Sequence, residues 1–228
     1  FPERDRARTF VASGVDVIAA TEHDVAADFV DAIAELGIGD QVKVMPGVET
    51  TGQILFYRPP GSSLPKVIGH YNFWPIVYDR NSPRNGAPDD ERLEPGALFD
   101  RVIPLFDGPG VIQMNHPLSE AGFGRDEGFL TALGFDPRDD YPAALDRRPA
   151  GGLSNLDFDA QEAMNGASIR MRLRHRAGWW SLLSQGVLRA GTANSDSHSH
   201  GTEVLGYPRN LVLGSHDLAT FDRVAFND

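Results

Sequence analysis

Short apolar runs alternate along this chain with longer stretches in which apolar residues recur every three or four positions. The first stretch, Glu3 to Ser13, has helical spacing and ends at Gly14, a residue suited to the position after a helix. Runs rich in Val, Ile and Leu are typical of strands buried in a parallel sheet. They predict strands at Val15 to Ala20, Val42 to Met45, Val67 to Ile68, Val111 to Met114 and Leu188 to Thr192.

Helical spacing returns between several of these runs. It predicts helices over Phe29 to Leu36, Pro95 to Phe106 and Arg172 to Gln185. Two stretches rich in Pro, Asp, Arg and Gly, Asp79 to Glu94 and Asp136 to Gly152, are interpreted as long loops. Strands that alternate with helices indicate an α/β fold with a parallel sheet under helical cover, and 228 residues suit a single domain.

Polar side chains that can bind metal follow each predicted strand. In a β/α barrel the carboxyl ends of the strands converge on one face, which carries the active site. Imidazole and carboxylate groups suit Zn, Mn or Fe, and one carboxylate can bridge two ions. The agreement of five strand ends therefore predicts a metal centre, with these candidates: His23, Glu49, His70, His116, and the pair Asp196 and His198.

Each of these residue types also has an ordinary structural role. Asp24 is positioned to cap the helix that follows it, and Glu49 can be a surface carboxylate. His175 lies among the arginines of a predicted helix, which favours a solvated face, and His216 falls in a terminal loop.

Composition and net charge limit the kinds of partner that the protein is expected to bind. Hydrophobic residues make up 41% and charged residues 23% of the chain, and no apolar run reaches the roughly 20 residues of a membrane span. A net charge of −11 repels phosphate backbones, and no basic track with interleaved aromatics is present. A small-molecule substrate is expected, with neither a nucleic-acid partner nor a membrane span, and the oligomeric state is left open.

The chain contains no cysteine, so disulfides, thiolate nucleophiles and cysteine-based zinc sites are excluded. Any metal must therefore be bound by histidines and carboxylates. These features do not determine the cellular compartment. The lack of Cys, together with few Lys, weakly favours a periplasmic or secreted location.

At the candidate residues the sequence resembles the polymerase and histidinol phosphatase (PHP) superfamily, and within it the CehA/McbA-like metallohydrolases. The matching segments run in the family's order over nearly the whole chain. They are Gly14 to Asp24, Pro46 to Glu49, Gly69 to Asn72, Asn115 to Pro117, Glu162 to Gly166, Asn194 to His198 and Gly206 to Asn210.

This resemblance implies a distorted, TIM-like (β/α)7 barrel and two or three divalent ions of Zn, Mn or Fe. Its ligand positions fall on His23, Glu49, His70, His116, Asp196 and His198, with Glu49 as the bridge. The family's first motif, H-x-H, is missing, and the chain stops before a last strand. We therefore expect residues 1–228 to be a single PHP-like domain that is truncated at both ends and lacks the first and last strands.

The expected function is hydrolysis of a phosphoester, or of a carboxyl or carbamate ester, by metal-activated water. Glu49, His116 and Asp196 are the candidate catalytic residues, and no G-x-S-x-G nucleophile motif is present. Four residues close to the ligands are candidates to orient the substrate: Asn115, Asn194, His200 and Arg209.

Two other functions remain open. A PHP-like structural or ligand-binding module without activity would also explain the missing first motif. An amidohydrolase-type enzyme ranks last, because it normally needs a lysine at a strand end and the chain has only Lys43 and Lys66.

Overall fold

The structure is a computed structural model that describes residues 2–52, 69–119, 128–199, 205–214 and 217–227. Its α-helices are α1 (Glu3–Ala12), α2 (Val30–Leu36), α3 (Pro95–Val102), α4 (Phe129–Ala132), α5 (Ile169–Ser184) and α6 (Arg223–Asn227). Its strands are β1 (Val17–Ala20), β2 (Lys43–Pro46), β3 (Val48–Thr50), β4 (Tyr71–Ile76), β5 (Phe106–Met114), β6 (Ala160–Asn165) and β7 (Ala190–Asn194). Short 3-10 helices lie at Pro83–Gly86, Ile103–Leu105 and Leu218–Thr220.

The strands form two sheets. β1 and β2 pair in parallel, and the other five strands form a mixed sheet in the order β3-β4-β5-β6-β7. β4 is antiparallel to both β3 and β5, whereas β5, β6 and β7 run parallel. A parallel bridge between His23 and Glu49 joins the segment after β1 to β3.

The predicted (β/α)7 barrel is wrong. Such a barrel closes through parallel strands, each followed by a helical crossover. Within the described ranges the strands instead form separate sheets of two and five strands, and β3, β4 and β5 are linked by antiparallel pairing. Gly47 alone separates β2 from β3, so no helix intervenes there. The fold class is α/β with a mixed sheet.

The predicted helices and several strands lie close to where the pattern places them. One strand end differs: His70 directly precedes β4 rather than following a strand, and the predicted strand at Val67 to Ile68 lies outside the described residues. The predicted cap at Asp24 is also wrong. Its carboxylate accepts hydrogen bonds from the backbone amide and hydroxyl of Thr51, at 2.8 and 2.6 Å, and α2 begins only at Val30.

Two apolar clusters hold these elements together. The larger one packs α3, α4 and α5 against the five-stranded sheet, and within it the rings of Tyr71 and Phe99 meet edge to face with centroids 5.2 Å apart. The smaller one joins α1 and α2 to β1 and includes Phe29 and Ile33. Among the described residues, no helix combines the length and apolarity needed to cross a membrane.

Candidate metal centre

Glu49, His70 and His116 meet at one end of the mixed sheet. Glu49 lies in β3, His70 immediately before β4 and His116 two residues after β5. Antiparallel pairing of Glu49 with Asn72 brings the first two together, and the backbone amide of Asn115 donates to the His70 carbonyl at 2.9 Å. All three side chains are buried, and one ligand atom from each lies within 4.8 Å of the others. The group can hold a metal ion.

The spacing of the donor atoms suits a shared cation. Glu49 Oε1 lies 3.4 Å from His70 Nδ1 and 3.7 Å from His116 Nε2. Ligands about 2.0–2.2 Å from a tetrahedral ion are separated from one another by roughly 3.3–3.6 Å. The three donors therefore lie at about the spacing that a four-coordinate metal ion imposes on its ligands.

The other three predicted ligands lie beside this group on its solvent side. His23 Nδ1 is 3.9 Å from Glu49 Oε2, and His23 Nε2 is 3.2 Å from His198 Nε2. His198 in turn places Nδ1 3.0 Å from the carbonyl oxygen of Asp196. The side chains of His23 and His198 are 46% and 55% exposed, so they form an open rim above the buried group.

The charges of the buried group depend on one another. Burial opposes ionisation of Glu49, but contacts with His116 and His70 outweigh it and hold the pKa of Glu49 well below its usual range. Burial alone disfavours the charged form of His116, yet Glu49 and the nearby carboxylates raise the pKa of His116 to about 9. In the metal-free protein the imidazolium of His116 therefore compensates the buried carboxylate.

Glu49 is held by a chain of buried amides. The Nδ2 group of Asn115 donates to Glu49 Oε1 at 2.9 Å, and Gln113 Nε2 donates to Asn115 Oδ1 at 2.8 Å. Gln113 and Asn115 are 1% and 3% exposed, so the bonds are shielded from water. This chain fixes the orientation of the carboxylate that contacts both buried histidines.

Glu162 lies in β6 and binds residues next to the candidate metal centre. It was not among the predicted site residues. Its carboxylate accepts hydrogen bonds from the backbone amide of His116, from Asn194 Nδ2 at 2.8 Å and from Asn165 Nδ2 at 3.1 Å. Asn165 also donates to Asp196 Oδ2 at 3.1 Å. Burial raises the pKa of Glu162 to about 7. The predicted strands included none at this position, although Glu162 belongs to one of the family-like segments.

The predicted solvated face at His175 is wrong. His175 is completely buried in α5, and its Nδ1 accepts a hydrogen bond from the backbone amide of Leu118 at 3.3 Å. Its Nε2 finds no hydrogen-bond partner among the described residues. Burial lowers the pKa of His175 to about 4, with the charges of His116 and Arg174 acting in the same direction. The signal in the sequence was its spacing from Gly178 and Leu182, which are buried on the same helix face.

Two of the candidate ligands occupy left-handed backbone conformations. The φ angles are 24° at His116 and 46° at Asp196, a region that side-chain-bearing residues enter at a cost of about 1–3 kcal/mol. His116 keeps this conformation between two anchors, because Glu162 binds its own amide and His175 binds the amide of Leu118. The surrounding structure thus holds one imidazole of the buried group in place.

The residues predicted to orient substrate have protein partners here. Asn115 donates to Glu49, and Asn194 donates to Glu162. Arg209 Nη1 donates to the carbonyl oxygens of Ser13 and Gly14, at 2.6 and 2.9 Å. His200 lies outside the described residues, as does His216.

No protein-family model matches the chain, and no curated protein matches it significantly. The metal-binding capacity of the centre therefore rests on the geometry of Glu49, His70 and His116.

Proposed function

We propose that this protein is a metal-dependent hydrolase that uses metal-activated water to cleave a phosphoester, or a carboxyl or carbamate ester, of a small molecule. The observation that carries the proposal is the buried Glu49, His70 and His116 group, whose donor atoms lie at ligand spacing. Two imidazoles and a carboxylate with donor atoms at this spacing are a common protein ligand set for divalent metal ions. Their convergence therefore favours a metal-binding role.

Some residues near the centre hold the candidate ligands in position, and others leave the centre accessible from solvent. Asn115 and Glu162 orient Glu49 and His116, so that the donors need not reorganise. His23 and His198 lie at the exposed rim, where a second ion and the substrate have access. The chemistry that divalent ions supply in such sites is Lewis acidity, which lowers the pKa of water and polarises a phosphoryl or carbonyl oxygen.

Water is the nucleophile favoured by the composition. The chain has no cysteine, and no serine lies in a nucleophile motif. A net charge of −11 disfavours polymeric nucleic acid as substrate, which leaves a small ester.

The test compares metal content and turnover in one preparation of the full-length protein. Hydrolysis of p-nitrophenyl phosphate and p-nitrophenyl acetate is measured with Zn, Mn or Fe and again after chelation, for the wild type and for Glu49→Gln. We expect turnover that follows metal content and is lost in Glu49→Gln. The control Glu35→Gln, on a glutamate whose side chain is 59% exposed, should behave as wild type. Chelator-insensitive turnover would contradict the proposal.

One observation favours a second candidate, a metal-binding module without catalysis. Three residues that were predicted to orient the substrate donate hydrogen bonds to other protein groups instead: Asn115, Asn194 and Arg209. The same experiment separates the two functions, because a module retains stoichiometric metal and shows no turnover with any ester supplied.

A further inference from the structure

A cavity of about 380 Å³ lies between α5, the strands β6 and β7, and the segment 207–210. Its volume falls within the range of roughly 300–1,000 Å³ that small-molecule sites occupy. The described lining contains three arginines and no acidic residue, in a protein whose net charge is −11. The described lining therefore carries a local excess of positive charge.

The cavity is on the opposite face of the sheet from the candidate metal centre. Met164 and Ala193 are register partners on β6 and β7, and both line the cavity. The next pair along, Asn165 and Asn194, direct their amides to Glu162 on the metal side. Because successive side chains of a strand point to opposite faces, the two sites are separated by the sheet itself.

The arginines come from two directions. Arg172 and Arg176 are four residues apart on α5, a spacing that places their side chains on the same helix face. Arg209 belongs to the segment 207–210 that also lines the cavity, and bonds from its Nη1 to the carbonyls of Ser13 and Gly14 hold its guanidinium in place. Its Nε and Nη2 groups are not used in those bonds.

The two helix arginines have no carboxylate partner within the part of the chain that the structure describes. The guanidinium of Arg176 lies 4.6 Å from the centre of the Trp180 ring, which limits its movement without neutralising its charge. Guanidinium groups bind phosphate and carboxylate through paired N–H donors, and this geometry makes arginine common in sites for such anions.

We propose that this cavity binds the phosphate or carboxylate group of a small anionic molecule between Arg172, Arg176 and Arg209. Tyr207, which also lines it, carries a hydroxyl group that can donate to the same oxygens. The site does not depend on the proposed hydrolase activity, because it lies behind the sheet and shares no side chain with the metal centre.

The test is isothermal titration calorimetry with inorganic phosphate and, separately, malonate, at constant ionic strength. The full chain is first stripped of metal and desalted, so that no bound metal ion can hold either anion. We expect saturable binding of one anion per chain, weakened about tenfold by Arg172→Gln and about tenfold by Arg176→Gln, because each removes a charge-assisted hydrogen bond. Preference for phosphate or for malonate identifies the anionic group.

Arg170→Gln is the matched control, since Arg170 is exposed on the same helix and does not line the cavity. It should bind as the wild type does. Arg176→Gln also removes the contact with Trp180, so Arg172→Gln, at an exposed side chain, serves as the variant that leaves packing intact. The proposal is overturned if neither anion binds saturably, or if Arg170→Gln weakens binding as much as Arg172→Gln.

Discussion

The backbone amide of His116, two residues after β5, donates to the buried carboxylate of Glu162 in β6. Because His116 has a φ of 24°, this bond holds a conformation that the residue would not adopt by itself. The position of one imidazole of the buried group therefore depends on a carboxylate that is not a member of that group. Substitutions at Glu162 should therefore alter the candidate metal centre.

Replacing Glu162 by Gln should weaken metal binding. All the hydrogen bonds to Glu162 come from N–H donors, so a glutamine amino group faces a donor instead of accepting from it. Changes to groups that orient ligands typically reduce metal affinity about 10- to 100-fold. We expect a loss of this size in a competition titration of Zn against a chromophoric chelator. Glu35→Gln is the control, and unchanged affinity in folded Glu162→Gln would refute the positioning role.

Asn115→Asp should destabilise the metal-free protein and make it more dependent on metal. Its carboxylate would replace an amide that lies 2.9 Å from Glu49 Oε1 in a buried site, so two negative charges would face each other. A loss of about 3 kcal/mol in the free energy of unfolding is expected. A bound divalent ion offsets the repulsion, so added Zn should raise Tm more in this variant than in the wild type.

Asn81→Asp is the matched control, since Asn81 is exposed in a loop and should show the wild-type response to Zn. An equal Zn-induced rise of Tm in Asn115→Asp and the wild type would contradict the placement of Asn115 against a metal ligand.

His175 should make the metal-free protein acid-labile. Its pKa is lowered from 6.5 to about 4 by burial, so the folded state favours the neutral imidazole. The stabilisation is fully present above pH 6.5 and is lost as the pH falls through the folded pKa near 4. Between pH 7 and pH 5 this contributes a loss of about 2 kcal/mol in the free energy of unfolding.

The comparison variant for this prediction is His175→Asn, which keeps an acceptor for the Leu118 amide and cannot titrate. Urea unfolding at both pH values should show a smaller acid-induced loss in the variant than in the wild type. Equal losses would show that His175 does not titrate differently on folding.

Local pattern was sufficient to predict α1, α2, α3 and α5 and to approximate several strands. It did not predict β4, in which Pro75 interrupts an apolar run, because proline usually argues against a strand interior. The direction of strand pairing is set by tertiary contacts. The alternation of elements therefore suggested a parallel sheet where antiparallel pairs occur.

The candidate site was predictable to the extent that its residues lie near strand ends and carry metal-binding chemistry. The residues that hold these candidate ligands in position were not predicted. His175 was assigned to the surface because of the charged residues beside it in sequence, although its own spacing matches the buried face of α5. Glu162 lies in a strand too polar to be recognised from hydrophobicity alone.

The most direct test of the metal centre is an anomalous scattering measurement on crystals grown with Zn or Mn, collected at the absorption edge of that metal. We expect an anomalous peak within about 2.3 Å of Glu49 Oε1, His70 Nδ1 and His116 Nε2. This peak should disappear in crystals of Glu49→Gln. A protein that crystallises with metal bound elsewhere, while these three donors bind only one another, would contradict this expectation.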